Sequence, residues 1–452
     1  MQNLAEKQNI TNYSDLYSLT SLLKLHEEEK SAFHHNPLFQ RMRSGGFMTP
    51  QQRDTFFEYY QEWSSQFQRM ILLRSALCED ERFQEVFAQH LDEEYGHDKV
   101  LQKERNILNL KKDPLVQALC GWFPHKMLSS SPREQWVISN LCIESASVII
   151  HNHAIPVFDP CNISEYYNMH ENHNYHHATG RLDFLENLQE YEYKRLSVIL
   201  KNTWDIMNAL MARIDYLCFI DTPIKAPSLL SCAQPISLED LRMRNEEYKN
   251  NFRKHPLFAH MQNGYFSYPQ TKGRFFSYLH VWSTYFQRLM MLKTALLENH
   301  PFSDFFWQHF EEEYGHDKIL QKEIGDMTTD KDICLEALCG WFVAQMVSFT
   351  PHEQIVLVHL CLEAASNVFQ EHATPALDPA KQHEYLSLHE ELDSSHEMVG
   401  YSLLDGLSSS DYQRLLLIQE SSWEMFEALM QRITDLCVES ESDKILQIKE
   451  RL

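Results

Sequence analysis

Glycine and proline are scarce, at 12 and 16 of 452 residues. An all-β fold uses both freely in its many turns, so the scarcity points to helices. Positive charge is also short. Forty lysines and arginines stand against 64 aspartates and glutamates, for a formal net charge of −24. A field of that sign repels phosphate backbones and anionic headgroups, so neither nucleic acid nor a membrane surface is an expected partner. The ten cysteines include no C-x-x-C pair, and several, such as Cys142 and Cys361, lie inside apolar helical runs. They read as reduced core thiols, and a cytoplasmic protein is expected. The opening residues Met1-Gln2-Asn3-Leu4-Ala5-Glu6 have no signal-peptide character, and no apolar run of about 18 residues is expected to span a membrane.

What the chain does contain is apolar bulk and an internal repeat. Apolar residues make up 43% and aromatics 12%, enough for large cores at a length that implies two to three domains. Asn36-Pro37-Leu38-Phe39 is matched 219 positions later by His255-Pro256-Leu257-Phe258. The same offset relates Trp63 to Trp282, Cys120-Gly121-Trp122-Phe123 to Cys339-Gly340-Trp341-Phe342, Trp204 to Trp423 and Cys218 to Cys437. One constant offset predicts a tandem duplication without net insertions. The expected domains are 1–220 and 237–452, joined by a linker at 221–236 that carries Pro223, Pro227 and Pro235.

Each copy reads as helices with short breaks. Thr49-Pro50 is a cap followed by proline at the first helical position, ahead of the periodic run Phe56–Leu77. Ser131-Pro132 and Thr350-Pro351 open helices containing Ile138–Ile150 and Leu357–Phe369, which Pro156 and Pro375 are expected to close. His-rich helices follow over Glu165–His177 and Glu384–His396, and a last amphipathic helix is expected to end at Cys218 and at Cys437. The expectation is an all-α chain of two domains with about seven helices each, able to pack as an internal pseudo-dimer.

The chemistry-bearing residues recur with the repeat. Glu94 and His97, like Glu313 and His316, stand three apart. On one helix that spacing puts a carboxylate and an imidazole within about 60° of each other, where both reach one metal ion. A solvated acidic face with an i,i+3 ion pair would read the same way. In the second copy His389, Asp393 and His396 stand at i, i+4 and i+7, again within about 60°. Glu363 sits in the apolar run Val358-His359-Leu360-Cys361-Leu362-Glu363, as Glu144 does in its counterpart. A carboxylate buried there without a counter-charge costs several kcal/mol, and no lysine or arginine occurs between 343 and 380. A metal ion is the simpler counter-charge. Three carboxylates and three imidazoles are too many for one ion and suit two irons bridged by carboxylate. The first copy offers Glu94, His97, Glu144, His170, Asn174 and His177, with Asn174 in place of Asp393. His90 and His309 precede the Glu-x-x-His pairs and are expected to support them rather than to ligate.

The stretch His309-Phe310-Glu311-Glu312-Glu313-Tyr314-Gly315-His316-Asp317, with the later Glu363 and His389-x-x-x-Asp393-x-x-His396, resembles the haem-oxygenase-like di-iron oxidases and oxygenases, the iron-containing redox enzyme family. The resemblance covers both copies. It implies a haem-oxygenase-like helical bundle without haem and O2 activation at a di-iron site. It implies that Glu313, His316 and His389 bind one iron and that Asp393 and His396 bind the other, with Glu363 bridging or chelating. Two irons per complete site are implied, with Mn/Fe as an alternative, and the substrate is a small amine, an amino-acid-derived compound or a fatty acid. Two features depart from the family pattern. Asn174 lacks a charge, and the extra carboxylates Glu58 and Glu62 of the first copy become Ser277 and Val281 in the second. The second copy is therefore expected to hold the more complete site. Two other readings compete: a haem-binding protein on the same fold, with His26 as axial ligand, and a non-catalytic metal-binding or interaction protein.

Overall fold

The structure, a computed structural model, describes residues 17–107, 112–171, 181–220, 235–297, 300–325 and 330–451, with side chains described except at 170, 171, 389–396 and beyond 438. Among the described residues every regular element is a helix, as the scarcity of turn formers implies. The chain divides into two compact units. One comprises Met1–Lys112 and Leu119–Pro223, the other Asp113–Ala118 and Ile224–Leu452. Most of the expected linker, 221–234, lies outside the described residues.

In the first unit the helix Pro50–Leu77 is the organising element. Thr49 accepts from the Gln52 backbone N–H, and the Gln52 side chain accepts from Thr49, closing a capping box with Pro50 at the first position. Its inner face buries Phe56, Tyr60, Trp63, Met70 and Ile71. The helices Glu81–Glu94, His97–Glu104 and Glu190–Phe219 pack on it. In the second unit Pro269–Leu296 takes the same part, packed by Ser303–Glu313, His316–Ile324, Ile333–Ser348 and Ser409–Arg451. That last helix runs well past Cys437, where the sequence reading placed its end.

The helices opened by Ser131-Pro132 and Thr350-Pro351 contain a feature the sequence did not announce. Pro132–Trp136 passes into a π-helical segment, Val137–Ile143, and then into Glu144–Phe158. Pro351–Ile355, Val356–Glu363 and Ala364–Leu377 repeat the sequence of states. Val356, Leu357, Val358, Leu360 and Cys361 have no exposed surface. Burying a side chain of Val or Leu size contributes about 1.5–3 kcal/mol, which offsets the poorer π hydrogen bonding. Pro156 and Pro375 do not close these helices, which run on to Phe158 and Leu377. Proline removes only its own N–H, and the next turn still bonds, Asp159 to the Ile155 carbonyl and Asp378 to the Thr374 carbonyl at 2.9 Å.

Among the described residues one helical stretch, Pro132–Phe158, is long and apolar enough to cross a membrane by length and composition, contrary to the sequence expectation. It escaped that reading because Glu144 interrupts it. Its apolar window is 61% buried within the protein, as expected of a core element.

Candidate metal centre

Glu94 is the last residue of Glu81–Glu94, and His97 is the first of the next helix. The Glu-x-x-His pair therefore does not ride on one helix, as the spacing suggested. Gly96 breaks the chain with φ +91°, and Gly315 does the same with φ +94°. Glycine reaches this left-handed region at little cost, whereas a side chain there is strained. The pair still meets across the break. His97 Nδ1 lies 2.9 Å from Glu94 Oε2, and His316 Nδ1 lies 3.0 Å from Glu313 Oε2. A glutamine from the organising helix holds each break. Gln68 donates to the Glu94 carbonyl and accepts from Gly96 N–H, both at 2.8 Å. Gln287 binds Glu313 and Gly315 in the same way, at 2.8 and 2.9 Å.

The lone glutamates come to the same places. Glu144, directly after its π segment, lies 2.9 Å from His90 Nε2. Glu363, at the end of its own, has Oε1 2.9 Å from His309 Nε2. His90, Glu94 and Glu144 form one buried group with a ligand atom of each within 4.8 Å of the others, and so do His309, Glu313 and Glu363. All six are at most 3% exposed.

Along the helix of Glu363 no lysine or arginine supplies a counter-charge. The structure supplies one from the organising helix. Arg74, fully buried, donates to His90 Nδ1 and to Asn140 Oδ1 at 2.9 Å, and also to Ser139 Oγ. Burial lowers its guanidinium to about 9, still protonated at neutral pH. Burial first, and Arg74 second, push His90 down to about 3, so its ring is neutral. A guanidinium only donates, so His90 Nδ1 accepts and Nε2 carries the proton given to Glu144. His90 is thereby an orienting donor, with no lone pair left for an ion. In the second unit the cation is Lys293, with Nζ 3.0 Å from His309 Nδ1 and 4.7 Å from the centre of the Phe306 ring. Burial pushes it down to about 7, where Glu363 and Glu313 oppose the shift. An amine in that range either donates or accepts, which leaves both ring tautomers open to His309. His359 packs on His309 with ring centroids 4.6 Å apart, at the position that Asn140 holds in the first unit. The available signal was a basic residue at the same repeat position in two long, partly apolar helices.

The other predicted ligands are placed less completely. His389, Asp393 and His396 lie on the helix Glu384–Leu403, but their side chains are outside the described residues, as are His170, Asn174 and His177. That helix packs against Val356–Glu363 and His316–Ile324, the segments that carry Glu363 and His316. Gly400 permits the approach, since a Cβ there would stand 2.8 Å from His359 Cβ. Glu58 lines a separate groove with Arg53 and Arg105, and Glu62 pairs with Gln66, so neither lines the cavity beside Glu94. His26 is committed elsewhere, with Nδ1 3.4 Å from the Trp204 indole N–H and Nε2 3.3 Å from Ser145 Oγ. His153 and His372 stack on Phe39 and Phe258 as packing residues.

Each cluster opens on a cavity. In the second unit it measures about 70 Å³, with Glu313, His316 and Glu363 in its wall beside Trp282 and Phe286. In the first unit it measures about 30 Å³, beside Glu94, His97 and Glu144.

No protein-family model matches the chain. No solved structure matches it. A protein of Rickettsia prowazekii (strain Madrid E), named as uncharacterized protein RP592, is 31% identical over 196 residues. The aligned region spans 43% of this chain and 94% of that protein, so the relative is about as long as one repeat. By that identity and coverage, the chain belongs to the same family as the Rickettsia protein RP592.

Proposed function

We propose that this chain is an iron-containing redox enzyme, a duplicated haem-oxygenase-like protein whose second copy holds a non-haem di-iron site acting with O2 on a small molecule. The observation that carries the reading is the cluster of Glu313, Glu363 and His309, buried to within 3% exposure beside a single buried cation. Two carboxylates against one lysine, itself held near neutrality, leave a negative site that a divalent ion balances. The donor set, carboxylate oxygens with imidazole nitrogens, fits iron or manganese. Glu313, Glu363 and His316 would hold the metal, with His309 available as a further nitrogen ligand. His389, Asp393 and His396 would complete it from the helix Glu384–Leu403. When bound, such a pair of ions supplies O2 activation.

The chain's own residues do the rest. Gln287 fixes the break at Gly315 and so the angle between Glu313 and His316. Lys293 sets the His309 ring, and that ring sets Glu363. Trp282, Phe286 and Phe426 keep bulk water from the carboxylates. In the first copy the Arg74–His90–Glu144 chain already satisfies the carboxylate with fixed donors, and Asn174 replaces Asp393. The proposal gives that copy a scaffolding part.

The test is iron content and O2 uptake of the anaerobically loaded full chain. About two irons, lost together with O2 uptake in Asp393→Ala, are expected. Absence of iron binding, or of any O2 uptake by the loaded protein, would overturn the reading and leave an interaction protein.

A further inference from the structure

The two cavities share most of their walls. Trp63 and Trp282, Ser64 and Ser283, and Phe67 and Phe286 stand at equivalent positions in them. They differ at Ile143 and Leu362, Ile150 and Phe369, and Met207 and Phe426, and on the organising helix at one residue. Tyr60 fills its place with a ring that is 3% exposed, and its hydroxyl bonds to that of Tyr166. The equivalent residue is Leu279, while Tyr166 remains a tyrosine, Tyr385. The cavity with leucine has about 70 Å³, the one with tyrosine about 30 Å³.

We infer that the second unit's cavity is the seat of a short alkyl group of two or three carbons, and that the residue at position 279 or 60 decides which unit can take it. The size follows from the volume: an apolar cavity of about 150 Å³ takes benzene, so one of about 70 Å³ takes about half that bulk. The chemistry follows from the walls. Beyond Ser283, Ser366, Tyr385 and two glutamines, the lining outside the cluster is apolar: Leu279, Trp282, Phe286, Leu362, Phe369, Phe426 and Met430. Glu313 and Glu363 are the only acidic or basic residues apart from His316 among its described lining, and no lysine or arginine is present to receive an anion. Each methylene seated there gains about fourfold in affinity. A carboxylate end would meet two glutamates instead. The substrate's role rests on the oxidoreductase reading above; the binding rests on the cavity alone.

The test uses the metal-free full chain, labelled at Leu and Met methyl groups, titrated by NMR with propan-1-ol, propylammonium and propionate. Propan-1-ol is expected to shift Leu279, Leu362 and Met430 saturably and to leave Met207, in the wall of the first unit's cavity, unmoved. Leu279→Tyr is expected to weaken that response at least tenfold, with iron uptake of the loaded protein unchanged. Tyr60→Leu is expected to open the first unit and bring Met207 into the response, and it decides the matter if Leu279→Tyr fails to fold. No saturable shift, an equal response of both units in the natural chain, or a stronger response to propionate than to propan-1-ol would overturn the inference. Saturable alcohol binding in a chain that takes up no iron would support the cavity while removing the di-iron reading.

Discussion

Arg74 and Lys293 occupy the same place in the two units, and their neighbours differ with them. Arg74 has three acceptors, Ser139, Asn140 and His90. Lys293 stands where the corresponding residues are Val358, His359 and His309. A guanidinium brings five donors in a fixed fork, and the first unit satisfies it with oxygens and a ring nitrogen. An ammonium needs fewer, and the second unit surrounds it with apolar and aromatic groups. The acidic cluster is the same in both, but in one it closes a finished hydrogen-bond network and in the other it borders a larger cavity. Shared acidic positions do not by themselves make two equal sites.

The sharpest way to break this comparison is to remove the central carboxylates. Glu363→Ala is expected to cost at least about 100-fold in O2 uptake and to release the bound iron. Glu144→Ala is expected to change iron content by less than about twofold. Equal losses, read by metal analysis, would make the units functionally alike.

Next come the cations. Arg74→Met removes the charged donor from His90, Asn140 and Ser139 and is expected to destabilise by about 3–5 kcal/mol in urea unfolding. Lys293→Met, at a site where burial already holds the amine near neutrality, is expected to cost about 1–2 kcal/mol. Lys293→Arg alone is expected to fare worse than Lys293→Arg combined with Val358→Ser and His359→Asn, which rebuilds the first unit's acceptors. A double-mutant cycle measures that coupling.

The units also separate by pH. Each has a buried histidine where the other has asparagine, such as His26 against Asn245 and His255 against Asn36. Burial lowers both histidines to about 4. Between 6.5 and 4 the unfolded chain takes a proton that the folded one refuses, so stability is full above pH 6.5 and falls towards pH 4. Each histidine accounts for up to about 3 kcal/mol of that fall. His26→Asn and His255→Asn are expected to flatten the acid limb of a melting-temperature profile, each in its own unit. A limb left unchanged by both would assign it to other groups. The smallest effect is a control: Gly96→Ala and Gly315→Ala are each expected to cost about 1–2 kcal/mol by thermal unfolding, and to cost the same.

Much of this could be read in the sequence, and the gaps have physical causes. Helical class followed from glycine, proline and capping residues such as Thr49, Ser131 and Thr350, all of which cap as expected. Glu144 and Glu363 stand out because charge in an apolar run is costly, Glu94 and Glu313 because their spacing to a histidine recurs with the repeat. The break at Gly96 was missed because spacing alone does not show that a helix has ended. Arg74 and Lys293 were missed because a counter-charge was sought nearby in sequence, whereas a folded chain brings it from another helix. The π segments left no trace because a helix that is apolar on every side carries no phase from which its winding can be read.

Those segments have a consequence for how the protein can change. A π turn holds more residues than an α turn, so the helix after it is rotated relative to an uninterrupted one by about 100° for each extra residue. Val356–Glu363 thus works as an index mark: it sets the bearing at which Glu363 leaves the backbone. Removing a single residue, such as Val358, would let the stretch relax into regular winding and swing Glu363 away from His309. The shortened chain is expected to melt at a higher temperature and to bind less iron. The length of one helix, counted to the residue, then sets where one buried carboxylate points.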